Sequence, residues 1–149
     1  MSQTEAPVTT VHERLVRAKA ASRVIARLSG AEKTRVLNAI ADALVDATAS
    51  IVAANGDDLE RGASTGLATG LLDRLRLDEA RVAALAAAVR EVAVLPDPIG
   101  EVVRGHRSPT GVAIEQVRVP FGVIGAIYEA RPNVTVDIAA IALRSGNAV

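Results

Sequence analysis

The sequence contains no cysteine, which removes disulfides, zinc–thiolate sites and a thiol nucleophile from the chemistry these residues supply by themselves. Tryptophan is also missing, and phenylalanine and tyrosine occur once each. The apolar half of the composition is therefore made mostly of Ala, Val, Leu and Ile, and Ala-rich helices should be slim and closely packed. An excess of one charge is lacking too. Seventeen basic residues balance seventeen acidic ones, so no electrostatic footprint points to nucleic acid or an anionic membrane. No stretch approaches the roughly 18 apolar residues of a membrane span, and no basic segment precedes an apolar signal-type region. The expectation is a cytoplasmic protein whose partner is a small molecule.

What is present is enough for one ordinary domain, since 149 residues that are 50% apolar can bury a sizeable core. Residues 1–9 are polar, include Pro7 and lack periodicity, which reads as a mobile lead-in. Thr10-Val11-His12-Glu13 has the form of a capping box, and Val11, Leu15, Ala18, Ser22 and Ile25 follow at the spacing of one helical face, to an end near Leu28. Ser29-Gly30-Ala31-Glu32 repeats the cap. Its helix should run as far as Asn55-Gly56, a C-terminal signal, and should pack antiparallel on the first. Gly62, Gly66 and Gly70 then predict a surface connection over residues 57–70, with at most a short helix at 58–61. Residues 71–77 pack back. Asp78 caps a further helix with Val82, Leu85, Val89 and Val92 on one stripe, ended by Pro96-Asp97-Pro98.

Between Gly100 and Val119 the pattern changes to short β-rich pieces around Ser108-Pro109-Thr110-Gly111, which predicts a hairpin with a type I turn. A change of parity between Val112/Ile114 and Val117/Val119 suggests a bulge near Glu115 or Gln116. Residues 121–128 are nearly all apolar and read as a strand buried on both faces, as in a parallel sheet covered by helices. Pro132 stops that strand and Asn133 is placed to cap a helix over 134–144, which Gly146-Asn147 ends. Strand, polar loop, helix and the start of another strand make this an α/β pattern. In open α/β sheets ligands bind at the carboxyl ends of strands, so Glu129 to Asn133 is where chemistry is expected.

Within that loop, Arg131 is suited to hold a phosphate or carboxylate bidentately, or else to pair with Glu129 or Asp137. Asn133 is either an N-cap or a fixed neutral donor for an oxyanion, and local sequence favours the cap. Gly122-Val123-Ile124-Gly125 lacks both the third glycine of a dinucleotide fingerprint and the lysine of a phosphate loop. Glycines inside a strand more often permit close backbone approach. His12 and His106 have no acidic or cysteine partner at ligand spacing, so no metal site is expected.

The run VPFGVIGAIYEARPNVTVD, followed by SGNAV, resembles γ-glutamyl phosphate reductases of the aldehyde dehydrogenase superfamily. So do AANGDDLERG at residues 53–62, LLDRLRLDEARV at 71–82 and LPDPIGEVVRG at 95–105, and the likeness covers nearly the whole chain. The resemblance implies an aldehyde dehydrogenase-like α/β fold. N-terminal helices, here residues 10–95, and an oligomerisation-type hairpin at 101–119 precede the first strand, loop and helix, at 121–149, of a doubly wound cofactor-binding sheet. It implies NADPH-dependent reduction of γ-glutamyl phosphate (L-glutamate 5-phosphate) to glutamate 5-semialdehyde and phosphate, in proline biosynthesis, through thiolate attack on the acyl phosphate and hydride transfer to the thioester.

Carried onto this chain, the resemblance makes Asn133 the oxyanion donor, Arg131 a ligand for the substrate's phosphate or carboxylate, and Tyr128, Glu129 and Ala130 the strand-end backbone beside the cofactor. The nucleophile and the catalytic cysteine domain lie outside these residues. The chain is therefore expected to be an N-terminal fragment, inactive and poorly folded alone. A second reading is a non-catalytic helical and hairpin module that associates with a full-length reductase subunit, and a third is a different acyl phosphate or aldehyde dehydrogenase.

Overall fold

Two reciprocal caps set the start of the chain. In the computed structural model, which describes residues 10–129 and 131–149, the Thr10 hydroxyl accepts from the Glu13 amide at 3.2 Å while Glu13 accepts from the Thr10 amide at 2.8 Å. This opens α1 (Val11–Ile25). Ser29 and Glu32 repeat the exchange at 3.3 and 2.8 Å and open α2 (Gly30–Asp46). Both capping carboxyls are held below the usual carboxylate range by these bonds, Glu13 chiefly by the Thr10 backbone amide and Glu32 chiefly by the Ser29 hydroxyl. The lead-in expected at residues 1–9 lies outside the described residues.

The expected antiparallel pairing of α1 with α2 is not what forms. Ser22 is the one buried residue of α1, whose large apolar side chains Val11 and Leu15 stay exposed, at 75% and 55%, because no other element among the described residues covers them. α2 packs instead on α5 (Glu79–Val94), where Leu37 and Ala41 meet Ala86, Val89 and Ala93, with Ala140 of α6 (Pro132–Arg144) closing the cluster. Alanines at these crossings let the helices approach closely, as the composition implies. Asp78 caps α5 as predicted, its carboxylate accepting from the Arg81 amide at 2.8 Å.

The second helix does not run to Asn55-Gly56. It ends at Asp46, and α3 (Thr48–Ser64) leaves at 66° to it. The Thr48 hydroxyl donates to the Val45 carbonyl at 2.7 Å and the Leu44 carbonyl at 3.3 Å, capturing the acceptors of the last turn of α2. Helix α3 continues through Asn55-Gly56 because the Asn55 side chain is engaged elsewhere. Buried to 4% exposure, its amide donates to the Leu75 carbonyl at 2.9 Å and accepts from the Leu77 amide at 2.6 Å. The surface connection expected over 57–70 is thus mostly helix.

The true stop is Gly66, at φ +80°, where Leu67 N donates to Gly62 O and Gly66 N to Ala63 O in a Schellman closure. α4 (Thr69–Leu75) follows. Asn55→Ala should cost about 1–3 kcal/mol, because it removes a buried amide's bonds to the half-buried Leu75 carbonyl at the end of α4 and the Leu77 amide just beyond it. Urea unfolding measures the loss, and a change below about 0.5 kcal/mol contradicts the assignment.

β1 (Val102–Arg107) and β2 (Ala113–Val117) pair antiparallel through the predicted turn, in which Gly111 N donates to Ser108 O at 2.9 Å. The register slips between Val102 and Arg104, so the extra residue is on β1, opposite Gln116 and Val117, rather than on the strand that carries the parity change. Both strands are exposed along their whole length.

The segment 121–128 is not a buried strand. It makes one parallel bridge, Val123 with Ala148, through bonds of 2.8 and 2.9 Å. Phe121 is 93% and Ile127 105% exposed. An apolar run becomes a strand only where partners lie on its edges and layers on its faces, and among the described residues only Ala148 pairs with it. The helix after the loop ends as expected: Gly146, at φ +76°, and Asn147 close α6 with Gly146 N on Leu143 O and Asn147 N on Ala142 O. Among the described residues no single helix is long and apolar enough to cross a membrane.

Behind α6 lies a buried polar knot. Lys33, 1% exposed, donates to both oxygens of Asp97 at 3.0 and 2.9 Å. Arg144 donates to the carbonyls of Gly30 and Leu95 and to the Thr34 hydroxyl. Its Nε has no hydrogen-bond partner among the described residues. The knot ties the C-terminal end of α6 to α2 and to the end of α5, and so fixes the helix whose other end carries the loop.

Candidate functional site

Pro132 is the first residue of α6, a position where its missing N–H costs nothing, and Arg131 is the N-cap with extended backbone. The Arg131 side chain makes no cap bond, and neither does that of Asn133, which is the second residue of the helix rather than its cap. The Asn133 amide donates instead to Asp137, one turn on, at 3.2 Å. An asparagine amide carries two N–H donors, so one remains for a ligand. Ala130 lies outside the described residues.

The partners expected for Arg131 are occupied otherwise. Glu129 sits 3.6 Å from Arg74 of α4, and Asp137 takes the Asn133 amide. Tyr128 shares a 2.6 Å hydrogen bond with Thr135 on the first turns of α6, which pins the end of the apolar segment to the helix. Among the described residues Arg131 has no ion pair.

Arg131, Pro132 and Asn133 line a cleft of about 340 Å³ whose opposite wall is the end of α4 and the first turns of α5. That wall carries Asp73, Arg74, Arg76 and Arg81, residues to which the sequence reading gave no role. Their signal was present as three arginines within a few positions of Asp73, but nothing local says that they face Arg131. On the other side of the loop an apolar cleft of about 430 Å³ runs along residues 123–126 and past Tyr128 and Thr135, with Arg14 of α1 at its border. The loop thus separates a cationic cleft from an apolar one. His12 and His106 are exposed and belong to neither. Among the described residues no group of three histidine or acidic side chains is placed to hold a metal.

No family model matches the chain. Against curated proteins it is 61% identical over 145 residues to the gamma-glutamyl phosphate reductase of Kineococcus radiotolerans, which covers 95% of this chain and 34% of the relative. It is 56% identical over 140 residues to that of Leifsonia xyli. The crystal structure of gamma-glutamyl phosphate reductase from Thermotoga maritima superimposes with a TM-score of 0.87 at 38% identity, over 91% of this chain and 33% of that one. That from Saccharomyces cerevisiae gives 0.85 at 32%, over 93% and 36%. The fold is therefore the one expected from the YEARPNVTVD resemblance, and the chain spans about a third of the length of the curated relatives it matches. Along nearly all of its own length the chain is thus similar to about one third of the length of these gamma-glutamyl phosphate reductases.

Proposed function

We propose that residues 10–149 serve NADPH-dependent reduction of γ-glutamyl phosphate to glutamate 5-semialdehyde and phosphate, the proline-biosynthetic reaction, in the cytoplasm. The observation that carries this reading is the convergence of Arg131 and Asn133 on one cleft at the start of α6. Arg131 holds an anionic end of the substrate, and the uncommitted N–H of Asn133 donates to the oxygen that gains charge when the acyl phosphate is attacked. A helix N-terminus behind both adds partial positive charge. The chain contains no cysteine, so the thiol that attacks comes from outside these residues.

The apolar cleft along residues 123–126 fits the cofactor. It offers an apolar wall, Tyr128 at its end, and a cation in Arg14 for phosphate. NADPH, when bound, supplies the hydride. In this division residues 10–95 form the helical layer, 101–119 a hairpin suited to contacts between copies, and 121–149 the extended segment, loop and helix that open the cofactor-binding domain. The non-catalytic module is not favoured, since the relatives along the whole chain are reductases by name.

The test is a chimera in which this chain replaces the matching third of the Kineococcus radiotolerans reductase. Phosphate-dependent reduction of NADP by glutamate 5-semialdehyde, the reverse reaction, should run within about tenfold of the parent, a span of about 1.4 kcal/mol in barrier. A folded chimera without turnover overturns the reading.

A further inference from the structure

The cationic cleft carries more charge than one reacting oxygen needs. Four guanidinium groups, Arg74, Arg76, Arg81 and Arg131, share a space of about 340 Å³ with one carboxylate, Asp73. Two of the four are committed. Arg74 faces Glu129 at 3.6 Å. Arg81 binds the Asp73 carboxylate at 2.9 Å, the Asp73 carbonyl, and the Arg76 carbonyl at 3.0 Å. That set of bonds fixes the backbone at the end of α4, which makes Arg81 a positioning residue for its neighbours. Arg76 and Arg131 face the same cleft from opposite walls with no ion-pair partner among the described residues. Like charges gathered without counter-charge repel, and a bound anion relieves the repulsion.

The anion is not free to be anything. Asp73, which also lines the cleft, binds Arg81 through Oδ1, and among the described residues its second oxygen has no hydrogen-bond partner, so the wall carries a carboxylate oxygen still able to accept, beside the two open arginines. Open cations next to a carboxylate with one uncommitted oxygen complement a zwitterion better than they complement a phosphate, which Asp73 repels. We infer that this cleft is the site of the substrate's α-amino-acid head group: Arg76 and Arg131 clamp the α-carboxylate and Asp73 takes the α-ammonium. This deepens the reading given above and rests on it, because it leaves Asn133, on the same cleft, for the reacting carbonyl at the other end of the glutamyl chain. The phosphoryl group then lies away from the arginine wall.

Titration of the chimera with L-glutamate, glutarate and inorganic phosphate, followed by NMR of the arginine side chains, tests this. L-glutamate should shift Arg76 and Arg131, with glutarate and phosphate weaker by about tenfold or more, since neither offers an ammonium to Asp73. Arg76→Gln should weaken L-glutamate by about tenfold with an unchanged circular dichroism spectrum, and Asp73→Asn should erase the preference over glutarate. Phosphate binding as well as L-glutamate at these arginines, no shift at either arginine, or Arg76→Gln binding like the parent each overturns the assignment. In the chimera, Arg76→Gln should raise KM for glutamate 5-semialdehyde by about tenfold and leave kcat within about twofold. An inactive chimera over intact L-glutamate binding removes the reductase reading and keeps the head-group site. An active chimera with an unchanged KM in Arg76→Gln removes the site and keeps the reading.

Discussion

Asp97→Ala should destabilise the fold by about 3–5 kcal/mol, the usual result of removing one partner from a buried ion pair. The reason lies on the other side of the pair. Lys33 is 1% exposed, and both of its bonds to Asp97, at 3.0 and 2.9 Å, disappear together. Its ammonium is then left without a counter-charge, with the Arg144 guanidinium close by. The Ile99 amide, which donates to Asp97 Oδ1 at 3.1 Å, is orphaned as well.

Replacing the pair by Lys33→Met and Asp97→Leu together should recover most of the loss, because apolar groups of similar volume remove both charges at once. Urea unfolding at neutral pH distinguishes the two variants, and a single-variant loss below about 1 kcal/mol sinks the account. The same knot gives a pH dependence. Burial pushes the Asp97 carboxyl up, but the Lys33 hydrogen bond, the Ile99 amide and the charges of Lys33 and Arg144 outweigh it and hold the carboxyl below its usual range. A depressed native pKa gives stability that is present above the unfolded value of about 3.9 and is lost as pH falls through the native one. Wild type should therefore lose stability more steeply than Asp97→Ala below about pH 4.

In the chimera, Asn133→Ala should lower kcat by about 10²- to 10³-fold, the ordinary result of deleting one oxyanion donor, with KM nearly unchanged. Asn133→Asp keeps the shape and loses the donor, so its kcat should fall as far. A residue of purely structural importance behaves differently. Its loss would move the unfolding midpoint and leave turnover per folded molecule alone, and that outcome would remove Asn133 from the reaction. Asp137 accepts from the same amide at 3.2 Å and so orients it. Asp137→Ala should therefore lower kcat by a smaller factor than Asn133→Ala.

What was legible in the sequence is what local chemistry decides. Thr10 with Glu13, Ser29 with Glu32, Asp78, the Ser108–Gly111 turn and Gly146 behave as their residue types require, because each bond closes within a few positions. Asn55-Gly56 reads as a stop only while Asn55 is considered alone. Its amide is used by Leu75 and Leu77, and that tertiary demand overrides the propensity. Residues 121–128 read as a buried strand because their composition fits one, yet strand formation depends on neighbours that a composition does not contain. Asn133 reads as a cap, but Pro132 takes the first helical position and shifts the cap to Arg131. The arginine wall was present as letters and invisible as a site, since Arg76 and Arg131 meet only through the packing of α4 and α5 against the start of α6.

The shallow seating of α3 and α4 has a consequence for motion. Asn55 is the one buried residue of α3, and α4 has none, whereas α2, α5 and α6 share the apolar cluster. Units with little buried surface open at a fraction of the global unfolding free energy. The α3–α4 pair is therefore the part of this chain suited to opening as a cooperative unit while the rest stays closed. Asp73, Arg74 and Arg76 ride on that unit, and Arg131 and Asn133 belong to the fixed body. The cleft then has one lightly seated wall and one well-packed wall: Asn55 holds α3 and α4 together as a unit, and the bonds from Arg81 of α5 to Asp73 and to the Arg76 carbonyl are what tie that unit to the body.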